Sequence, residues 1–492
     1  MLATAQKYNY SQSLRLAVFL SALLVTCAAV WAVWSLDMKW TIFTLMGLAF
    51  PFVVVLVPDA RRFMLGALMF VIPLNADRNL MMHPSPGGAD AYTIGLTDVL
   101  LVILLAITVV RLAQSKKAGE IELFPAILVP SLAMLAFFFL SLVAAKDLMW
   151  SSFDIINFIK TILFFIVLAN NIRDEKDLTI VLIAALAGLF VQSVIVGWQT
   201  MSPAASSILQ KFGLGAPAEL QHFEMQASDL SRPGGTIGHC NHFARYVGLL
   251  VPVAIVLALV QHKRMSLLFT VVAIAASVAL VNTLTRSSWI GLVLSLMVML
   301  PAMLRFRHIS FRILGKLSVA AVIFLILMAF FFKPIWGRIV SDDKGSANTR
   351  ITTAKVALEI IRDYPITGCG INNYGSLMGS YWNAEDSFTR YAAVHNTYLL
   401  YAAEIGVLGF AVYLWLLIAF FLRIRRAMRS RKPYFSTIAI GIWGGYIAFL
   451  ATALTDKSFK ENFTLLLVLW GLMAIVEAMN RMDNRYRSMF LG

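Results

Sequence analysis

The 492-residue sequence is 60% hydrophobic and only 14% charged, with a mean hydropathy of +0.78. A soluble core needs less apolar residue and a soluble surface needs more charge, so a soluble globular protein is excluded. The net charge of +15 would suggest nucleic acid in a soluble protein; here the basic residues sit in short loops between apolar runs, and no nucleic-acid partner is expected.

Apolar runs long enough to cross about 30 Å of hydrocarbon recur from end to end. Fourteen candidate spans are read at about 14–35, 38–57, 62–74, 94–112, 122–144, 153–171, 178–199, 241–261, 265–283, 287–304, 315–332, 396–422, 434–454 and 462–480. The first lacks a small-residue cleavage site and is followed closely by another run, so it reads as a signal anchor that stays. The third is short; without it the upstream orientation flips while the downstream half stands. The expected organisation is an N-terminal bundle over 1–200, an outer loop over 201–240, and helices of a catalytic half over 241–332. A long outer loop over 333–395 and C-terminal helices with a tail over 396–492 complete it. The fold class is an all-α polytopic membrane protein with about 12–14 transmembrane helices.

Orientation follows from Lys and Arg in alternate loops. One set of loops holds Arg61 and Arg62, then Arg111, Lys116 and Lys117, then Lys263 and Arg264, then Arg305, Arg307, Arg312 and Lys316. Its strongest member is Arg423–Lys432, with six basic residues in ten positions, and the tail adds Arg481, Arg485 and Arg487. These loops are expected to be cytoplasmic. Trp31, Trp34, Trp40, Trp150, Trp198, Trp289 and Trp336 mark the opposite span ends as an interfacial belt. In the second long outer loop, Thr349–Arg362 reads as a helix with Ile351, Ala354, Leu358 and Ile361 on one face, lying on the membrane surface. Pro365 and the Gly368/Gly370 pair end it.

Three polar stretches map to the outer side. The first is Arg232-Pro-Gly-Gly-Thr-Ile-Gly-His-Cys-Asn241, leading into a span. The second is Thr285-Arg286-Ser287-Ser288-Trp289, a tight turn between two spans. The third is His395-Asn396, nine residues, then Gly406-Val-Leu-Gly409. With Asp363-Tyr-Pro-Ile-Thr-Gly-Cys-Gly-Ile-Asn-Asn373, these stretches resemble the O-antigen ligase and polymerase family over roughly 232–421. Phe410 stands where a Thr often follows the ligase motif, which leans the resemblance toward a polymerase of a cell-surface polysaccharide.

The resemblance implies a GT-C-like helical fold in a bacterial inner membrane. It also implies a donor glycan on undecaprenyl diphosphate, a glycan or lipid A-core acceptor, other polysaccharide-assembly proteins as partners, and transfer outside the cytoplasm without a metal or other cofactor. Carried over residue by residue, its functional core is Arg232, Arg286 and His395, with Arg350, Arg245 and Asn396 as candidates for glycan or diphosphate contact.

The chemistry suits these residue types on its own terms. Cleaving a glycosyl–diphosphate bond leaves negative charge on the leaving group, and a guanidinium is permanently charged and forked for phosphate oxygens. An acceptor hydroxyl must lose a proton as it attacks, and a histidine can take it. Blander readings stand beside these: Arg286 as an interfacial anchor, Arg232 as a solvated loop residue, and His395 as a helix cap helped by Asn396. His239, Cys240 and His242 do not match zinc spacing, and Asp342-Asp343 has a turn composition. Cys240 and Cys369 share a side, and nothing else pairs them. Asp98, Lys160, Arg245 and Glu404 are ionisable residues inside spans and functional suspects by their cost in hydrocarbon, with a buried pair such as Glu404–Lys160 as the structural alternative. Competing functions are a secondary anion transporter, whose groups would lie at the midplane of paired repeats, and a flippase, which would want a polar lumen. Neither pattern is present.

Overall fold

The computed structural model describes residues 59–85, 88–114, 121–202, 204–211, 232–261, 263–305, 346–381 and 393–491, together with positions 41 and 214. The predicted spans at 14–35, 38–57 (position 41 apart) and 315–332 lie outside the described residues, as do Asp342 and Asp343. The chain is an all-α polytopic membrane protein. Among the described residues, nine helices are long and apolar enough to cross a membrane.

In chain order the helices are α1 (Ala60–Val71), α2 (Leu96–Gln114), α3 (Pro125–Ser141), α4 (Leu148–Asn171), α5 (Glu175–Met201) and α6 (Ala204–Lys211). They continue with α7 (Cys240–Val260), α8 (Lys263–Asn282), α9 (Arg286–Arg305), α10 (Ser346–Asp363), α11 (Tyr374–Met378), α12 (Thr397–Met428), α13 (Pro433–Ala453), α14 (Ser458–Glu461) and α15 (Phe463–Leu491). Between α1 and α2, β1 (Asp77–Leu80) and β2 (Tyr92–Gly95) pair antiparallel, with Asp77 opposite Gly95 and Leu80 opposite Tyr92.

Side-chain contacts define two ends of the bundle. At one, Arg61 and Arg62 both bind the buried Asp177 carboxylate at 2.8 Å, Arg481 donates to the Ala169 and Ile172 carbonyls, and Arg423 grips Glu477 bidentately. At the other lie the β hairpin and the segments 142–147, 232–239, 283–285, 393–396 and 454–462. His83 of the hairpin loop bonds Asp147 at 2.7 Å, Asn373 accepts from the Asp147 N–H at 2.7 Å, and Thr397 donates to the Asp456 carbonyl at 2.7 Å.

The short third apolar run is not among the helices long enough to cross a membrane. Only Ala60–Val71 is α-helical, about 18 Å at 1.5 Å per residue, too short to span hydrocarbon alone. Its start is pinned to Asp177 at the head of α5, while the Pro73 carbonyl accepts from Gln192, further along the same helix. From Arg61 to Pro73 the chain thus runs alongside about 22 Å of α5 in a short helix and the start of a 3-10 turn. Met64, Leu65 and Leu68 are fully buried, so this segment is a core element rather than a lipid-facing one.

Helix α7 is the centre of the C-terminal half. Gly441 and Gly445 of α13 let its backbone come so near that a Cβ at Gly445 would sit 2.2 Å from the Leu249 carbonyl oxygen. Small residues at such a crossing allow backbone approach where apolar surfaces alone give no preference over lipid.

Helix α12 explains the Gly-x-x-Gly pattern. Gly406 adopts φ 72°, ψ 173° and breaks the helix. A break frees backbone groups that membrane surroundings cannot satisfy. The Ala403 and Glu404 carbonyls accept from the Cys369 and Gly370 N–H groups at 2.9 and 3.1 Å, and Val407 N–H donates to the Pro365 carbonyl at 2.8 Å. The Pro-x-x-Gly-x-Gly loop is therefore the partner of the broken helix. The same loop reaches the N-terminal half through Asn372, which donates to the Ala89 and Trp150 carbonyls, and through Asn373.

Two expectations are corrected here. Helix α10 is present and ends before Pro365, but the face it packs is Thr353, Val356, Ala357 and Ile360, against Cys369, Tyr374, Met378 and Leu400. Ile351 and Leu358 are exposed. Glu404 does not pair with Lys160: it binds Lys460 of α14 at 2.8 Å, while Lys160 binds Asp98 at 2.9 Å. The two lysines differ because α14 folds back beside α12, a placement no local pattern encodes. Cys240 and Cys369 are both buried, and neither is in a disulfide.

Candidate functional site

Four segments converge at the end of the bundle that holds His395. The Arg232–Asn241 turn is fixed first. Gly235 takes φ +64°, and a Cβ there would meet Gln192 Oε1 at 2.4 Å, so only glycine lets the turn press against α5. Gln192 Oε1 accepts from the Thr236 N–H at 3.0 Å, and the Thr236 hydroxyl donates to the Pro73 carbonyl. His239 caps α7 by accepting from the Asn241 N–H, and His242 bonds Asn462. Among the described residues no group of three or more His, Cys, Asp or Glu is placed to hold a metal ion.

Arg232 is thereby aimed at the turn between α8 and α9. Its Nε donates to the Thr283 carbonyl at 2.7 Å, and its Nη2 to Thr285 Oγ1 at 3.0 Å. Thr285 in turn donates to Asn241 Oδ1 at 3.1 Å. Leu284 takes φ +52° in that turn, a sparsely populated conformation for a leucine. Arg286 opens α9 between Thr285, which holds Arg232, and Ser287, which accepts from Arg245 at 3.2 Å. The second and first polar stretches of the sequence are thus one hydrogen-bonded unit.

The loop between α13 and α14 completes the cluster. Arg245, buried in α7, forms a 2.9 Å ion pair with the equally buried Asp456. The Asp456 carbonyl accepts from both the N–H and the hydroxyl of Thr397, two residues after His395. Asn396 caps α12, its Oδ1 accepting from Tyr398 and Leu399 N–H at 3.0 Å. The cap is therefore Asn396, which leaves the His395 ring outside that role. His395 Nδ1 is buried with no hydrogen-bond partner among the described residues.

The electrostatics follow from this crowding. Burial, followed by the positive charge of Lys457, lowers the His395 imidazole to about 4, with Arg350 and Arg245 pushing the same way and Asp456 opposing. At neutral pH the ring is uncharged and able to accept a proton. Burial would raise the Asp456 carboxyl, but Arg245, His395 and the Ser458 hydrogen bond outweigh it and hold Asp456 well below the usual carboxylate range. Arg350, exposed on α10, lies within electrostatic reach of His395 and of Arg245, and Arg232 within reach of Arg245.

The sequence reading missed Asp456, Lys457 and Lys460. Lys460 binds Asp154 of α4 at 2.9 Å as well as Glu404, and Lys457 binds Glu461 at 2.6 Å. The signal was available: Asp456, Lys457, Lys460 and Glu461 put four charges into six positions between two apolar runs. A solvated loop needs none of them; a loop whose lysines and aspartate are buried needs all to be paired.

A comparison with curated proteins finds no match. Residues 270–414 match the O-antigen ligase family model. The matched stretch holds Arg286, Arg350, His395 and Asn396, while Arg232, Arg245 and Asp456 lie outside it and are joined to it by the hydrogen bonds and ion pair above. That match covers less than a third of the chain and supports an O-antigen ligase/polymerase family assignment.

Proposed function

We propose that the enzyme transfers a polyprenyl-diphosphate-linked glycan to an acceptor hydroxyl at the membrane face that bears His395. One observation carries the reading: Arg350 and Arg245 lie within electrostatic reach of a histidine kept neutral at physiological pH, and Arg232 and Arg245 bind the residues on either side of Arg286. The acceptor oxygen attacks the anomeric carbon as the bond from that carbon to the diphosphate oxygen breaks. The hydroxyl proton passes to His395, and the electron pair of the broken bond stays on the diphosphate. Arg286 and Arg350 meet the growing charge there; Arg232 forms the wall of the same site. Each charge-assisted hydrogen bond to an ion contributes about 1.5–3 kcal/mol. Arg245 is neutralised by Asp456, so its role is to position His395 and the Arg232 turn. The cationic side chains supply the charge that a divalent metal supplies elsewhere, and transfer is proposed to be metal-independent.

The basic end of the bundle is proposed to be cytoplasmic, which places His395 on the periplasmic side of a bacterial inner membrane. Between the two acceptors, Phe410 favours a growing glycan over lipid A-core. The test uses purified protein with the lipid-linked donor in excess chelator, offered either a second donor chain or lipid A-core. A ladder of longer glycans on the lipid is expected. A lipid A conjugate alone would replace polymerase by ligase, and no product until magnesium or manganese is added would remove metal independence.

A further inference from the structure

The end of α12 opposite His395 carries a second site. Leu422, Arg425, Arg426, Arg429 and Arg487 line a cavity of about 340 Å³. Arg487 is held by Asp483 at 2.8 Å and Arg426 by Asn484 at 2.6 Å. Among the described residues, the Arg425 and Arg429 guanidiniums have no hydrogen-bond or ion-pair partner. The neighbouring acids are occupied, Glu477 by Arg423 and Asp483 by Arg487 and Ser430. A cavity walled by four guanidiniums at the edge of an apolar bundle is chemically matched to a phosphate. The backbone gives no help there, because the C-terminal end of a helix is the negative end of its dipole.

A second observation identifies what carries the phosphate. Trp415, Ile418 and Leu422 are exposed on the same helix. At 100° per residue, positions 415, 418, 422, 425, 426 and 429 fall within an arc of about 100°. The apolar stripe therefore runs straight into the arginines, as acyl chains run into a headgroup. A soluble phosphate would have no use for that stripe. Positive charge that merely orients a protein needs no cavity and no register with an apolar face.

We propose that this cavity binds the headgroup of an anionic phospholipid, with its acyl chains along Trp415, Ile418 and Leu422. The site lies about 30 residues of helix from His395 and does not depend on the transfer chemistry. The experiment is native mass spectrometry of the full chain titrated with phosphatidylglycerol, phosphatidylcholine or inorganic phosphate. The wild type should retain phosphatidylglycerol in preference to phosphatidylcholine, and millimolar phosphate should not displace it. Arg425→Gln with Arg429→Gln should weaken that retention on the order of tenfold. Arg425→Lys with Arg429→Lys should retain more lipid than the glutamine pair. Arg431→Gln removes an equally exposed charge outside the cavity and should leave retention unchanged. Equal loss from Arg431→Gln would reduce the site to diffuse charge and overturn it. So would no preference between the two lipids, and so would displacement by inorganic phosphate, which would make it a site for free anions. The exposed positions make misfolding a weak explanation, and an unchanged melting temperature in lipid-free detergent checks that directly.

Discussion

Arg245 and Asp456 face each other across 2.9 Å, and both side chains are almost wholly buried. The pair joins the helix that carries the Arg232 turn to the loop that holds the backbone beside His395. Breaking a buried pair strands a charge, whereas removing both partners does not. Asp456→Ala should therefore lower stability by about 3–5 kcal/mol, and Arg245→Met with Asp456→Leu should recover much of that. Thermal unfolding in detergent, run as a double-mutant cycle, checks this. Additive losses would show that the pair is not coupled.

The pH dependence follows from the position of His395. Its imidazole titrates near 4, below the ordinary 6.5. Between those values the unfolded chain binds more protons than the folded one, so the stability present above about 6.5 declines as pH falls toward and through 4. The acid limb of transfer should likewise lie well below 6.5. Lys457→Gln removes a charge that depresses the ring and should move the limb to higher pH; Asp456→Asn should move it lower. A limb at 6.5 that ignores Lys457→Gln in single-turnover rates would contradict the assignment.

The two glycines of the Gly-x-x-Gly pattern should behave differently. A Cβ on Gly406 would come 2.3 Å from the Ile366 carbonyl oxygen at a positive φ, whereas on Gly409 its nearest neighbour would be the Ile405 side chain at 2.8 Å. Gly406→Ala should cost at least about 1–3 kcal/mol and undock the loop carrying Cys369 and Gly370. Gly409→Ala should be milder. Melting temperature and proteolysis near residue 366 read both, and equal effects would argue against the docking role.

Span ends and glycine patterns were legible in the sequence because apolar runs and turn residues are local. The segments bearing Arg232, Arg286 and His395 stand out in the sequence by their polarity, and they lie at one end of the bundle. What escaped depends on distance along the chain. Asp456 meets Arg245, and Lys460 meets Asp154 and Glu404, across separations that periodicity does not report. Helix α10 is ambiguous for another reason: it carries apolar residues on two faces, of which Ile351 and Leu358 stay exposed while Val356, Ala357 and Ile360 pack.

Orientation has its own test. Leu454→Cys lies exposed at the end with Asp456, and Arg431→Cys is exposed at the basic end. In intact cells an impermeant maleimide should label the first and not the second. The reverse pattern would turn the protein over and put the transfer site in the cytoplasm.

The most direct measurement is single-turnover transfer from lipid-linked donor in membranes at matched protein level, with donor binding assayed separately. His395→Gln should lower the rate roughly 10²–10⁴-fold while leaving donor binding nearly intact. Arg286→Lys should remain impaired in both, because a point charge does not reproduce the guanidinium fork. Near-normal transfer by both variants would contradict a general base at His395 and a diphosphate clamp at Arg286.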